Sequence, residues 1–173
     1  MNIQTATTDG YPRLVCHSRL TDAQRAHLRE LRVRADQQPF CGDIDSALYT
    51  LLHRPSPSVR GFALLVQDRP VAFLLLKRPP FLPPWARDDA ATVHAVQVDH
   101  RHQGRGYGKA CLAALPQVTQ QAWPGVRQLM LSVDASNEVA LAMYLRQGWV
   151  DCGTGYRGRV GYERCLRLML TPA

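Results

Sequence analysis

Short apolar runs alternate with helical patterns along the chain, and this alternation predicts the order of its elements. Seven runs have the length and the aliphatic or aromatic content of strands: residues 13–17, 62–67, 70–77, 91–98, 127–134, 149–156 and 164–170. Four stretches have helical spacing of their apolar residues: 20–35, 44–54, 108–115 and 136–148. This order predicts an α/β fold with a central mixed, mostly antiparallel sheet of six or seven strands and helices on both faces.

Cap and turn residues mark the ends of several of these elements. Thr21 or Asp22 is placed to cap the first helix. Ser136 or Asn137 is placed in the same way before the last one. A proline-rich loop, residues 78–90, separates the third strand from the fourth. Loops of that length are usually functional, so we expect it to be ordered over an apolar surface.

Simple alternation along the strand at 91–98 divides its side chains between two faces. One face would carry Val93, Ala95 and Gln97. The other would carry His94, Val96 and Val98.

Composition and charge narrow the class of protein. The chain has 173 residues, of which 46% are hydrophobic and 20% charged, and this fits one globular domain over 1–173. The net charge of +7 comes from arginines spread along the chain, whereas a nucleic-acid footprint should cluster, so we expect no nucleic-acid partner. The sequence has no run of 18 apolar residues and its first residues lack a signal pattern, so we predict a cytoplasmic protein without a membrane partner.

The five cysteines are widely spaced and form no Cys-x-x-Cys pair. They are Cys16, Cys41, Cys111, Cys152 and Cys165. This spacing favours neither a zinc site nor a disulfide framework. We therefore expect reduced thiols and no metal.

Three glycines at alternate positions, Gly104, Gly106 and Gly108, lie between the strand at 91–98 and the next helix. Their spacing fails the dinucleotide fingerprint Gly-x-Gly-x-x-Gly, and Gln103 stands where a Walker loop has its first glycine. A third interpretation is a pyrophosphate cradle, because a helix N-terminus offers free N–H groups and glycines permit close approach. The alternative is a turn that is glycine-rich for structural reasons only.

Two motifs, in the correct order, resemble those of the GNAT superfamily of N-acetyltransferases, which bind acetyl-CoA. Residues 103–108, QGRGYG, resemble the signature Q/R-x-x-G-x-G/A. Residues 133–149, VDASNEVALAMYLRQGW, resemble the second motif, V-x-x-x-N-x-x-A-x-x-x-Y-x-x-x-G-F/W. The resemblance is specific over about residues 91–150. It implies an acetyl-CoA-binding core there, an acceptor-side half at about 11–85 and a C-terminal hairpin at about 149–171.

The resemblance also implies roles for individual residues. The backbone of Val96 and Val98 would pair with the pantetheine arm, at a splay between this strand and the one at 127–134. Asn137 would hydrogen-bond the same arm, and Tyr144 would protonate the leaving CoA thiolate. The complete set implied to bind acetyl-CoA is Val96, Gln97, Val98, Gln103, Gly104, Arg105, Gly106, Tyr107, Gly108, Lys109 and Asn137.

A general base for the acceptor amine is less evident. At the two positions where family members carry a glutamate, this chain has Thr92 and Ser132. His94 is a candidate because the pKa of an unperturbed imidazole is about 6.5. Asp134 is a second candidate, unless it caps the following helix. Proton removal through ordered water would require no particular residue.

The acceptor site would be formed, by resemblance, from the first two helices, the proline-rich loop and the last hairpin. Three aspartates there could attract an amine or cap helices: Asp36, Asp43 and Asp45. Four aromatic residues could line the pocket or fill gaps: Phe40, Phe81, Trp85 and Tyr156.

The resemblance thus implies an N-acetyltransferase that moves an acetyl group from acetyl-CoA to a primary amine by direct attack. The acceptor would be a small molecule or a peptide, and the protein a monomer or homodimer. A covalent route through Cys111 lacks a catalytic partner. The absent glutamates keep open an alternative, a non-catalytic sensor that binds acyl-CoA.

Overall fold

The computed structural model describes residues 10–171, except for the side chains of residues 154 and 155. The predicted domain limits at 1 and 173 lie outside this range. Within it, seven strands form one sheet: β1 Arg13–Cys16, β2 Val59–Val66, β3 Arg69–Lys77, β4 Ala90–Val98, β5 Gln128–Asp134, β6 Val150–Arg157 and β7 Tyr162–Met169. Their order across the sheet is β1-β2-β3-β4-β5-β7-β6. Only β4 and β5 are parallel neighbours, which confirms the predicted mixed, mostly antiparallel sheet.

Five α-helices lie against this sheet in the described range: α1 Asp22–Leu28, α2 Gln38–Cys41, α3 Ile44–Leu52, α4 Tyr107–Ala122 and α5 Glu138–Arg146. Thr21 caps α1 in a reciprocal arrangement with Gln24, as the sequence predicts. Asp43 caps α3 by accepting a hydrogen bond from the Ser46 N–H at 2.8 Å. None of the helices in residues 10–171 is long and apolar enough to cross a bilayer.

The two faces of the sheet bury separate apolar clusters. On one face, Leu74 of β3 belongs to a cluster with Leu115 of α4 and Tyr144 of α5. On the other, Phe73 of β3 belongs to a cluster with Leu48 of α3. We refer to these as the α4 face and the α3 face. Helices thus cover both faces, as predicted, and each fully buried aliphatic or aromatic side chain contributes roughly 1.5–3 kcal/mol.

The first helix is shorter than its apolar spacing predicts, since α1 ends at Leu28 instead of continuing to residue 35. The backbone of Arg32 is used elsewhere: its N–H donates to the Asp99 carboxylate at 3.1 Å. Its carbonyl oxygen accepts from the His100 N–H at 2.8 Å. These contacts to the end of β4 replace the helical hydrogen bonds, so tertiary structure overrides local propensity.

The inward face of α5 does not include Val139, which is 82% exposed. Ala140 and Met143 pack against the core instead, and Tyr144 is buried. The glycine turn and the second motif therefore lie on α4 and α5, which cover the same face of the sheet.

Candidate active site

A gap opens between the two parallel strands, because β4 and β5 pair over only three residues each. The pairs are Ala90–Gln128, Ala91–Leu129 and Thr92–Met130. Beyond Thr92, β4 continues beside β3 and β5 continues beside β7. The edge of β4 that faces the gap has no strand partner among residues 10–171. Unpaired N–H and C=O groups along such an edge can pair with an extended ligand. The predicted splay between these strands is confirmed.

A bulge in β4 determines from which face of the sheet each of its side chains projects. Ala95 has a positive φ of +52°. On β3, Leu75 pairs with His94 and Phe73 pairs with Gln97, so three steps along β4 match two along β3. Paired residues project from the same face of a sheet. His94 and Gln97 therefore both lie on the α3 face.

The bulge overturns the predicted grouping of side chains on this strand. Val96 and Val98 pack against the cluster on the α4 face, whereas His94 lies on the α3 face. The prediction that His94 shares a face with Val96 and Val98 is wrong, because it assumed unbroken alternation. The histidine and the two valines instead face opposite sides of the same strand.

The glycine turn combines left-handed backbone with open space. Gly104 and Gly106 have φ values of +74° and +82°, and a Cβ on either would meet no atom within 4 Å. Gly106 is the N-cap of α4. The free N–H groups of the first helical turn lie at this space, where the helix dipole favours an anion. Arg105 and Lys109 are exposed beside it.

Gly108 serves a different purpose, the close packing of α4 at the gap. A Cβ at this position would lie 3.4 Å from Met143 Sδ of α5 and 3.8 Å from Val98 Cγ2 of β4. The N-terminus of α4 thus lies close both to α5 and to β4, one of the two strands that border the gap. A larger residue would push the cradle away from the strand edge.

The side chain of Gln103 fastens the cradle to its surroundings. Its Nε2 donates to the Val98 carbonyl oxygen at 3.0 Å and to Gln37 Oε1 at 2.8 Å. Gln37 Nε2 donates in return to Gln103 Oε1 at 3.2 Å. Both the NH2 group and the oxygen of the Gln103 amide are therefore engaged in hydrogen bonds within the protein. The sequence carries no signal for Gln37, which lies 66 residues away in the chain.

Asp99 fixes the end of β4, a role that the sequence does not predict. Its side chain is 2% exposed and accepts hydrogen bonds from Arg101 Nε at 2.8 Å and Nη2 at 3.0 Å. Burial alone would raise the pKa of Asp99, but the hydrogen bonds and charge of Arg101, with the Arg32 N–H, lower it to about 2. The only sequence signal is an aspartate two residues before an arginine at a strand end.

The turn before α5 uses two residues singled out in the sequence. Asn137 Oδ1 accepts from the Ala140 N–H at 3.4 Å, which leaves its amide NH2 available. Asp134 Oδ1 accepts from the Ser136 N–H at 2.8 Å and from the Ser136 hydroxyl at 2.5 Å. These bonds to Ser136 lower the pKa of Asp134. Asp134 thus stabilises the turn before α5, whereas Asn137 is the N-cap of the helix, so the predicted capping role of Asp134 is wrong.

Tyr144 lies buried on α5, with 7% of its surface exposed. Its ring meets Trp149 edge-on, with centroids 5.8 Å apart. Burial raises the pKa of the phenol, and the nearby thiols of Cys41 and Cys111 raise it further. The phenol is therefore protonated at neutral pH and is able to donate a proton.

His94 is half-buried on the α3 face, and its Nε2 lies 2.7 Å from Thr92 Oγ1. That hydroxyl donates to the Lys77 carbonyl oxygen at 3.4 Å, so it can accept from His94 Nε2–H and leave Nδ1 as the basic nitrogen. Burial, with the charge of Lys77, lowers the pKa of His94 to about 4. The imidazole is therefore neutral at physiological pH.

Comparison with known proteins agrees with this geometry. Residues 18–149 match the sequence model of the Acetyltransferase (GNAT) family. The chain belongs to this family. Over 96 residues it is 38% identical to a mycothiol acetyltransferase of Kocuria rhizophila, an alignment that covers 52% of this chain and 30% of that protein. The chain thus spans less than a third of that relative. The family assignment confirms the predicted resemblance to the GNAT superfamily.

Solved structures share the GNAT fold at low sequence identity. The GNAT domain of PAT from S. lividans is 20% identical, with a TM-score of 0.69 and coverage of 92% of this chain and 90% of that one. Aminoglycoside acetyltransferase AAC(6')-Ib, solved in complex with coenzyme A, is 16% identical, with a TM-score of 0.71 and coverage of 92% and 95%. The predicted GNAT-like fold is confirmed.

On the α3 face of this GNAT chain, the proline-rich loop and the last hairpin meet. Trp85 stacks on Tyr156 with centroids 6.2 Å apart and planes inclined by 16°, and Tyr156 Oη lies 3.5 Å from Ser132 Oγ. Phe40 and Phe81 are 41% and 48% exposed. Two of the four predicted aromatic residues are thus in contact, at the far side of the gap from β3.

The buried Asp99 carboxylate makes the stability of the fold depend on pH. Its pKa of about 2 lies below the ordinary 3.8, so it contributes stability that is present above pH 4 and is lost as pH falls towards 2. The shift corresponds to about 2 kcal/mol. We expect Asp99→Asn to lower the free energy of unfolding by about that amount at pH 7, measured by urea denaturation, and the difference to vanish near pH 2. Asp36→Asn, at an exposed carboxylate, is the control and should have little effect. Equal destabilisation at pH 7 and pH 2 would contradict the assignment.

Proposed function

We propose that this GNAT chain transfers an acetyl group from acetyl-CoA to a primary amine by direct attack. The observation that carries the proposal is the continuity of two features: the unpaired edge of β4 leads directly into the glycine cradle of α4. Acetyl-CoA supplies an acetyl thioester at the end of an amide-bearing arm and a pyrophosphate. An edge with free N–H and C=O groups suits such an arm, and the space above Gly104 and Gly106 suits the anion.

The chain's own groups divide the binding between them. The backbone from Val96 to Val98 offers strand-like hydrogen bonds to the amide arm, and the Asn137 amide NH2 offers a further donor. The backbone N–H groups from Gly104 to Lys109 surround the cradle, with the cationic side chains of Arg105 and Lys109 beside them. In this proposal, a backbone N–H of the 96–98 segment also stabilises the negative charge that develops on the attacked carbonyl oxygen.

In this proposal two side chains transfer protons, one to the leaving thiolate and one from the acceptor amine. The Tyr144 phenol is protonated at neutral pH, since burial raises its pKa further above an ordinary value of about 10, and it donates its proton to the departing thiolate. His94 is neutral, with Nδ1 free to accept a proton from the acceptor ammonium directly or through water. The amine approaches from the α3 face, where His94 lies, and the leaving group departs on the α4 face, where Tyr144 lies.

Binding is tested first by melting temperature with and without acetyl-CoA. At a ligand concentration of about 100 times the dissociation constant, binding contributes roughly 2.7 kcal/mol, which raises the melting temperature by several degrees. Gly106→Asn is the informative variant, because asparagine tolerates a positive φ better than valine and still fills the cradle. We expect it to melt near the wild-type temperature alone and to lose the shift. A full shift in Gly106→Asn would contradict the cradle.

Tyr144→Phe tests the proton donor. The variant keeps the ring contact with Trp149 and loses only the hydroxyl, so we expect turnover to fall by about 10²–10⁴-fold, the usual contribution of a general acid. The dissociation constant of acetyl-CoA should change little. Turnover is measured by thiol release with an amine panel. Unchanged turnover would remove Tyr144 as the acid.

His94→Gln tests the base through the pH profile of kcat/KM. His94 must be neutral to accept a proton, so activity falls only as pH drops through its pKa of about 4. We expect a wild-type acidic limb near pH 4 rather than near the ordinary value of 6.5, and its loss in His94→Gln together with lower activity. Thr92→Val, which removes the hydroxyl beside His94, should keep the limb but move it. An identical profile in His94→Gln would rule out the imidazole.

A further inference from the structure

Lys77 lies at the closed end of the gap, where β4 and β5 begin to separate, and the proposed mechanism does not use it. It is the last residue of β3 and pairs with Thr92 of β4, the residue at which pairing with β5 ends. Directly paired antiparallel residues lie about 5 Å apart and project from the same face. Lys77 therefore lies on the α3 face, next to Thr92 and one position on that face from His94.

Lys77 carries a partly buried positive charge that has no counter-charge in the described part of the chain. Its side chain is half-buried, and burial is the cause that lowers its pKa. No carboxylate of residues 10–171 lies within ion-pair distance of its ammonium group, although seven arginines in this range have such partners. A partly desolvated cation is costly unless an anion accompanies it.

The same charge acts on the neighbouring imidazole. Lys77 is close enough to His94 to lower its pKa, so the two side chains share one small region of the α3 face. An acceptor amine that reaches His94 must therefore approach Lys77 as well. A substrate carrying only positive charge would meet repulsion there, whereas a carboxylate near the amine would complete an ion pair.

We propose that Lys77 determines acceptor specificity by binding a carboxylate of the acceptor, so that the preferred substrates are amino acids or amines of similar charge. This inference rests on the proposed function, because it assigns the acceptor of the same reaction. Lys77 acts on binding and orientation of the acceptor, and the proton transfers remain with Tyr144 and His94.

The experiment compares amino acids with their carboxamides, which differ only in the anionic group. Thiol release from acetyl-CoA gives kcat/KM for each member of a panel of such pairs, including phenylalanine and methionine. Because amide formation also changes the basicity of the amine, the informative quantity is the acid-to-amide ratio in a variant relative to wild type, in which that difference cancels. Lys77→Met, Lys77→Arg and Lys77→Glu are measured after their melting temperatures confirm folding.

The control is Arg69→Met, which removes a positive charge from the other end of the same strand, about 26 Å away by strand geometry. We expect the acid-to-amide ratio to fall about tenfold or more in Lys77→Met, to fall further in Lys77→Glu, and to stay near wild type in Lys77→Arg and Arg69→Met. An unchanged ratio in Lys77→Met, or turnover restricted to amines without an anionic group, would overturn the role of Lys77 and leave the proposed function standing. Absence of thiol release with every amine, despite a melting shift with acetyl-CoA, would overturn the proposed function itself.

Discussion

The early separation of β4 from β5 is the constraint on which the site depends. Three residue pairs hold the strands together at one end, and beyond them β4 keeps only β3 as a partner. A buried backbone group without a partner costs about 1–3 kcal/mol, so a folded chain retains such an edge only where water or a ligand satisfies it. The gap is stabilised from outside, by β3 and β7 on its flanks and by α4 and α5 across the α4 face. Gly108 permits the close approach of α4 that brings the cradle to the end of this edge.

One extra residue in β4 places the titratable His94 and the apolar Val96 and Val98 on opposite faces of the sheet. The bulge at Ala95 turns Val96 and Val98 towards the α4 face while His94 and Gln97 stay on the α3 face. Without it, unbroken alternation would place Val96 and Val98 on the α3 face together with His94, and the valines would lose their packing against the cluster on the α4 face. The bulge requires a positive φ at a non-glycine residue, a conformation that costs of order 1–2 kcal/mol for an L-residue. Packing of Ala95 against the cluster on the α3 face and pairing on both sides of the bulge offset this cost.

The sequence predicts local features of this fold well and long-range ones poorly. The glycine turn, the cap of α1 and the succession of strands along the chain follow from residue types at short spacings, so the sequence predicts them. The end of α1 depends on Asp99, which takes the Arg32 N–H from a position 67 residues away. The pairing of Gln37 with Gln103 is equally remote. No residue type marks the bulge in the sequence, since alanine is an ordinary strand residue. For that reason the sequence wrongly predicts that His94 shares a face with Val96 and Val98.

Burial sets the protonation states that the proposed chemistry requires. It raises the pKa of the Tyr144 phenol and lowers that of the His94 imidazole, because in both cases it disfavours the charged form. The proposed acid is therefore protonated and the proposed base neutral over the whole physiological range, and no carboxylate of residues 10–171 contributes to either shift. The two groups lie on opposite faces of β4, so the proton lost by the amine and the proton given to the thiolate are different protons. In the proposed mechanism each face exchanges its proton with solvent before the next turnover, so that mechanism requires access of water to both His94 and Tyr144.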